Sequence, residues 1–252
     1  MHTPETYLAE GRFLNMLHVR TKPNFFIDNY TATYQAPDNT LTSIYLKVSL
    51  ERSFLLEREH KFHTQASNAS SKVLPLVDIV LKDANGLIPS VATPLHHGDL
   101  HDYIRECGPQ PDELCRHLFE ACESASDITA AGIVHRDIKP ENIAMLPNGR
   151  AALFDFDNST TIDCYDRPLM ITRGYEPPEV LDILAYDGMM LRASPAQDYY
   201  CMARCIEELL EENLHWHKEL RRVVDANKHP EPTARPGWEP LKDELHKAAK
   251  SA

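Results

Sequence analysis

The sequence predicts an α+β fold of two packed lobes, a small β-rich N-terminal lobe over 1–93 and a helical C-terminal lobe over 94–252. Three observations carry this expectation. Residues 24–93 hold runs rich in β-branched and aromatic residues, broken by turn signals, with one helical stretch among them. After about residue 95 the apolar residues switch to helical spacing. Neither an internal repeat nor a low-complexity segment intervenes, and 252 residues suffice for one good core or two modest lobes. Two such lobes leave a cleft between them.

In order along the chain, "FFIDNYTATYQ" and "LTSIYLKVSL" read as strands around the turn signal "PDN". "RSFLLEREHKFHTQA" reads as a helix with Phe54, Leu55 and Phe62 on one side. A polar loop, "SNASSK", leads to two further strand candidates, "VLPLVDIVL" and "LIPSVAT". "QPDELCRHLFEACESASDITAAG" is a long helix, with Pro111 and Asp112 near its start and Gly132 at its end. Its Leu114, Leu118, Phe119 and Cys122 recur at helical spacing. Asn148-Gly149 joins "NIAML" to "RAALFDF" as a two-residue hairpin signal. Ser194, Pro195 and Gln197 open "SPAQDYYCMARCIEELLEE" with a capping-box arrangement, and Tyr199, Met202, Ala203, Ile206, Leu209 and Leu210 mark a buried stripe.

A formal net charge of −12 excludes nucleic-acid binding through a broad basic surface and leaves room for a basic protein or peptide partner. No apolar run approaches the roughly 18 residues that span a bilayer, so no membrane association is expected. "MHTPETYLAE" lacks the charged-then-apolar layout of a signal peptide. The six cysteines form no CxxC and no zinc spacing with the thirteen histidines. Cys201 and Cys205, one helical turn apart in an apolar stripe, are expected to be buried free thiols. On these features the chain is expected inside the cell, in cytoplasm or nucleus.

Two segments compete for one kind of chemistry. "HHGDLHDYI" (96–104) and "HRDIKPEN" (135–142) each put a His two residues before an Asp. The first echoes the loop "HGDLHxxN" of small-molecule kinases such as aminoglycoside and choline kinases. A phosphotransfer loop needs an Asp to orient the attacking hydroxyl, an Asn or Asp nearby for the metal, and a second metal-binding Asp on the next strand. After Asp137 come Lys139, Asn142 and, 18 residues on, Asp155. After Asp99 the corresponding positions are Ile104, which cannot ligate a metal, and His117 inside the long helix. The second loop is the candidate.

With "HRDIKPEN", "DFD" at 155–157 and "ITRGYEPPEV" at 171–180, the chain resembles the eukaryotic-type protein kinase superfamily. These match its H-R-D-x-K-x-x-N, D-F-G and T-x-x-Y-x-A-P-E segments. Asp198 and Arg235 stand in the order of the family's buried helix Asp and late Arg, the latter pairing with Glu179. The similarity runs from about 30 to 248 and is strongest between 130 and 180.

The resemblance implies a bilobal kinase fold whose N-terminal lobe covers ATP. Asp137 would orient the substrate hydroxyl or accept its proton, Lys139 would neutralise charge on the transferring phosphoryl group, and Asn142 and Asp155 would hold Mg2+. Thr172 would bond back to Asp137 and Lys139, which favours Ser/Thr acceptors. Arg136 would pair with a phosphate on the activation loop, with Ser159, Thr160 and Thr161 as candidates. Lys47 resembles the phosphate-gripping lysine, with Glu59 as first and Glu57 as second candidate for its ion-pair partner. The segment from Ala92 to Leu95, including Thr93, would contact adenine, and Asp99 the ribose.

The pattern also departs from the family. No glycine occurs from residue 12 to residue 85, so the Gly-rich phosphate loop is absent. Asp157 stands where the family has the last Gly of D-F-G, and the stretch from Asp198 to Arg235 is short. The expected function is an ATP-dependent protein serine/threonine kinase. The alternative is a pseudokinase that serves as a nucleotide-binding or scaffold module.

Overall fold

A computed structural model describes residues 11–22, 27–49, 54–77, 79, 81–83, 86–88, 90–167, 172–184, 189–211 and 218–250. The N-terminal part is an antiparallel sheet of β1 (Arg12–Lys22), β2 (Ile27–Gln35), β3 (Leu41–Ser49) and, after helix α1 (Phe54–Ala69) and a small hairpin of β4 (Leu81–Asp83) and β5 (Gly86–Ile88), strand β6 (Ser90–Pro94). The spatial order is β1-β2-β3-β6. One face buries Tyr30, Ala32, Tyr34, Ile44, Leu46, Val48 and Ala92 with Leu81 of the small hairpin.

β1 was not expected from the sequence. Its register against β2 shifts between Leu14 and Leu17 and again between His18 and Arg20. Each bulge breaks the two-residue alternation by which a strand is recognised. The candidate strand "VLPLVDIVL" is mostly irregular instead. Pro75 cannot donate to a ladder, and the segment is pinned at two points, with Leu74 N donating to Leu153 O and Val77 N to Ala92 O, at 2.9 and 2.8 Å.

The C-terminal part comprises α2 (Leu100–Cys107), α3 (Pro111–Ala130), β7 (Ile133–Val134), β8 (Ile143–Met145), β9 (Ala151–Leu153), β10 (Thr160–Thr161), β11 (Tyr165–Asp166), α4 (Pro178–Leu184), β12 (Leu191–Arg192), α5 (Pro195–Glu211), α6 (Lys218–Asn227) and α7 (Trp238–Ala248). α3 is central: its Leu118, Ala121, Cys122, Ala125 and Ile128 are fully buried against α5 and α7. Small residues at 121, 122 and 125 allow those helices to approach closely. Phe62 and Ala66 of α1 join the same core, which ties the sheet lobe to the helical one.

Two local expectations need correction. The β8–β9 hairpin closes on Leu146 and Arg150, whose backbones bond at 2.8 Å, so its loop has three residues rather than two. Pro147 suits the first corner of a type I turn, and Gly149, at φ 73°, supplies the left-handed residue that follows. At α5, Ser194 Oγ accepts from Ala196 N at 3.3 Å, but the Gln197 amide donates to Arg192 O instead of completing the box. Cys115, Cys122, Cys201 and Cys205 are buried free thiols, whereas Cys107 and Cys164 are exposed. Among the described residues no helix is long and apolar enough to cross a membrane.

Candidate active site

The loop 135–142 leaves β7 and is held from below by α5. The Asp198 carboxylate accepts from His135 N and Arg136 N, both at 2.7 Å, and is fully buried. Burial raises this carboxyl above the ordinary range against the pull of those donors. Arg136 takes a left-handed φ of 65°, a conformation costing roughly 1–2 kcal/mol for a residue with a Cβ. The two Asp198 bonds hold the backbone there. The His135 ring donates through Nε2 to Phe154 O at 3.1 Å and accepts at Nδ1 from Asp137 N at 3.3 Å.

Above that base, Asp137 is surrounded by donors. Thr172 Oγ1 donates to its Oδ1 at 2.7 Å, and Lys139 Nζ and Asn142 Nδ2 donate to its Oδ2 at 2.8 and 2.9 Å. Lys139 Nζ also donates to Thr172 Oγ1 at 2.7 Å, which closes a triangle. Asn142 Nδ2 donates further to Asp137 O at 2.7 Å. A carboxylate held at both oxygens has a fixed direction, which is what a hydroxyl-orienting group needs.

The sheet supplies the second half of the site. Lys47 Nζ, on β3, lies 2.6 Å from Glu59 Oε1 of α1 and 2.6 Å from Asp155 Oδ1. Burial alone would lower the lysine, but Asp155, Glu59 and Asp157 outweigh it and raise the ammonium above its usual value. Glu57 is exposed, so the ion pair falls to Glu59. Asp155 also has a left-handed backbone, φ 64°, and the preceding Phe154 N donates to Asn142 O at 3.1 Å. The segment just past β9 that carries Asp155 is thereby stitched to the loop carrying Asp137. Phe156 is fully buried between the rings of His135 and His63, with centroids 4.8 and 4.9 Å away.

Asp155 offers a carboxylate. Asn142, whose Nδ2 is committed to Asp137, has its carboxamide oxygen to offer. Hard oxygen donors of this kind fit Mg2+. Thr93 lies opposite Tyr45, and Lys47 opposite Val91, so Thr93 shares the Lys47 face of the sheet. Leu95, 43% exposed, bonds through its N to Ser43 O at 2.8 Å. Asp99 caps α2, accepting from Asp102 N at 2.8 Å, so "HGDLH" forms a helix start. Glu179 and Arg235 form a two-pronged pair at 2.8 and 2.7 Å.

Of the three loop hydroxyls expected as phosphate carriers for Arg136, Thr161 is exposed and the other two are enclosed. Ser159 and Thr160 are buried at 0% and 4% exposure, and the Ser159 hydroxyl donates to His135 O. Arg136 bonds instead to Asn158 O and to the Asp166 carboxylate. Sequence reasoning missed Asp166 and Arg58, which no short spacing links to the catalytic loop.

A family model described as "Protein kinase domain" matches residues 46–249. A probable serine/threonine-protein kinase of Corynebacterium efficiens is 30% identical over 132 residues, 47% of this chain and 20% of that protein. Serine/threonine-protein kinase pim-2 of Danio rerio is 38% identical over 101 residues, 39% of this chain and 33% of that protein. The phosphorylase b kinase gamma catalytic chain, liver/testis isoform, of Mus musculus is 36% identical over 90 residues, 34% and 22% of the two chains. The matches span between 20% and 33% of these relatives' own lengths.

Proposed function

This chain belongs to the protein kinase domain family, and from that premise we propose that it transfers the γ-phosphoryl group of ATP to a Ser or Thr hydroxyl of a protein. The observation that carries the reading is the closed triangle of Asp137, Lys139 and Thr172. Asp137 would orient the acceptor hydroxyl and take its proton as the new P–O bond forms and the bond from the γ-phosphorus to the departing ADP breaks. Lys139, bonded to Asp137 and within the same triangle, would offset charge building on the phosphoryl oxygens. Lys47, fixed by Glu59, would hold the nucleotide's phosphates, while Thr93 and Leu95 would border adenine and Asp99 the ribose. Mg2+, held by Asn142 and Asp155, would supply charge neutralisation at the phosphates. Catalysis would come from positioning and electrostatics.

A second reading, a nucleotide-binding or scaffold module without phosphotransfer, draws on the missing glycines before β3 and on Asp157. One experiment separates the two: transfer from radiolabelled Mg-ATP to the chain itself and to a generic basic protein, for the native sequence and Asp137→Ala. Incorporation abolished by Asp137→Ala supports the kinase. No incorporation by folded protein, with Mg2+ and Mn2+ both tried, rejects it in favour of the module.

A further inference from the structure

The kinase reading leaves one partly buried charge cluster unused. Asp166 Oδ2, at the end of β11, lies 2.6 Å from Arg58 Nη2 of α1 and 3.3 Å from Arg136 Nη2 of the catalytic loop. The Arg136 side chain is 2% exposed, Arg58 16% and Asp166 27%. The same guanidiniums grip the segment again through Nε, Arg58 on Ser159 O and Arg136 on Asn158 O, both at 2.8 Å. Arg58 immediately precedes Glu59, and Arg136 immediately precedes Asp137. One carboxylate therefore sits where both halves of the site are anchored.

We propose that Asp166 is a positioning residue whose carboxylate clamps α1 to the catalytic loop, keeping Glu59 on Lys47 and Asp137 in the catalytic triangle. The role in phosphotransfer rests on the kinase reading, whereas the clamp itself does not. Charge makes the carboxylate necessary. Without it, two guanidiniums, one almost wholly buried, face each other with no anion between them. Burial and the nearby Arg58 already hold Arg136 down to about 10. Arg136 Nη1 is buried without a hydrogen-bond partner, so the corner has donors in excess of acceptors even with Asp166 present. An encoded carboxylate thus supplies the anion that Arg136 was expected to receive from a phosphate. Ser159 and Thr160, both buried, could not be modified without opening the segment.

The test compares the native chain with Asp166→Asn, Asp166→Glu and Arg58→Gln. Amide hydrogen exchange is read over residues 54–69, and phosphotransfer kinetics are measured alongside. The expected result is faster exchange across α1 in Asp166→Asn and Arg58→Gln, with kcat/KM for ATP falling about tenfold to a hundredfold, as for loss of a charged hydrogen-bonded pair. Asp166→Glu should restore part of both, and Thr161→Ala should change neither. The Asn and Gln changes combined should do little more harm than either alone, because both break one bridge. Unchanged exchange and kinetics in Asp166→Asn and Arg58→Gln would overturn the proposal. If the native chain transfers no phosphate, the exchange result alone decides the clamp, so its failure and that of the kinase reading are told apart.

Discussion

Thr172 and Asp137, 35 residues apart in sequence, share a 2.7 Å hydrogen bond, and Lys139 donates to both. Thr172 thereby ties the segment that would carry the acceptor to the residue that would activate it. Thr172→Ala removes the donor to one Asp137 oxygen and the acceptor for Lys139. We expect kcat to fall about 10- to 100-fold, the worth of hydrogen bonds to charged groups, with ATP affinity nearly unchanged. Thr172→Ser should retain most activity. Steady-state kinetics with a fixed protein acceptor checks both.

Lys47 separates activity from stability. Lys47→Met takes from Glu59, 3% exposed, the ammonium 2.6 Å from its Oε1. Breaking a buried pair by removing one partner costs about 3–5 kcal/mol. Adding Glu59→Gln should recover much of that stability by neutralising this buried carboxylate, yet restore no nucleotide binding. Unfolding curves and titration with a fluorescent nucleotide, run on the single and double variants, show whether the two properties part.

The Arg235–Glu179 pair should act on the fold alone. Arg235 has a side chain with 0% exposure and donates to Ala196 O and His229 O, both at 2.8 Å, besides gripping Glu179. Lysine cannot reproduce that fork. Arg235→Lys keeps the charge but loses hydrogen bonds of the fork, and is expected to lower stability by about 1.5–3 kcal/mol and to leave the ATP KM of the folded protein unchanged. Urea unfolding measures the first and kinetics below the transition the second.

His63 sets an acid limit. Its Nε2–H donates to Leu74 O at 2.6 Å, and its Nδ1 is buried without a partner beside Phe156. Burial, outweighing the Leu74 bond and aided by the Lys47 charge, depresses it to about 4. The unfolded chain takes up this proton near pH 6.5, while the folded chain takes it up only near 4. Stability is therefore unaffected above about pH 6.5 and declines as pH falls toward 4, by about 3 kcal/mol in all. His63→Leu should flatten that slope, at the expense of about 1 kcal/mol at neutral pH for the lost bond. Stability profiles from pH 4.5 to 7.5 give the comparison.

The loop 135–142 could be singled out directly because the phosphotransfer proposed for it asks for an Asp, a Lys and an Asn within a few residues of each other, as Asp137, Lys139 and Asn142 stand. Lys47 was singled out from its strand, and its ion-pair partner was narrowed to Glu59 and Glu57, since both lie on one helix and only its rotational phase selects Glu59. β1 escaped because its bulges erase the strand period. Two of the three loop hydroxyls misled for another reason: Ser159 and Thr160 look like free polar side chains in sequence, and only packing reveals that they are enclosed, whereas Thr161 is exposed. Asp166 was invisible because Arg58 and Arg136, the residues that give it meaning, reach it from separate elements 108 and 30 residues away.

The cysteines also divide the molecule for chemical labelling. Burial raises the thiols of Cys115, Cys122, Cys201 and Cys205 far enough to keep them as unreactive thiols at neutral pH. Cys164 is exposed and precedes β11, two residues before Asp166. With the other exposed thiol changed, Cys107→Ser, a maleimide dye would attach at this one place. The chain thus carries its own handle for watching the segment between β10 and α4 in solution.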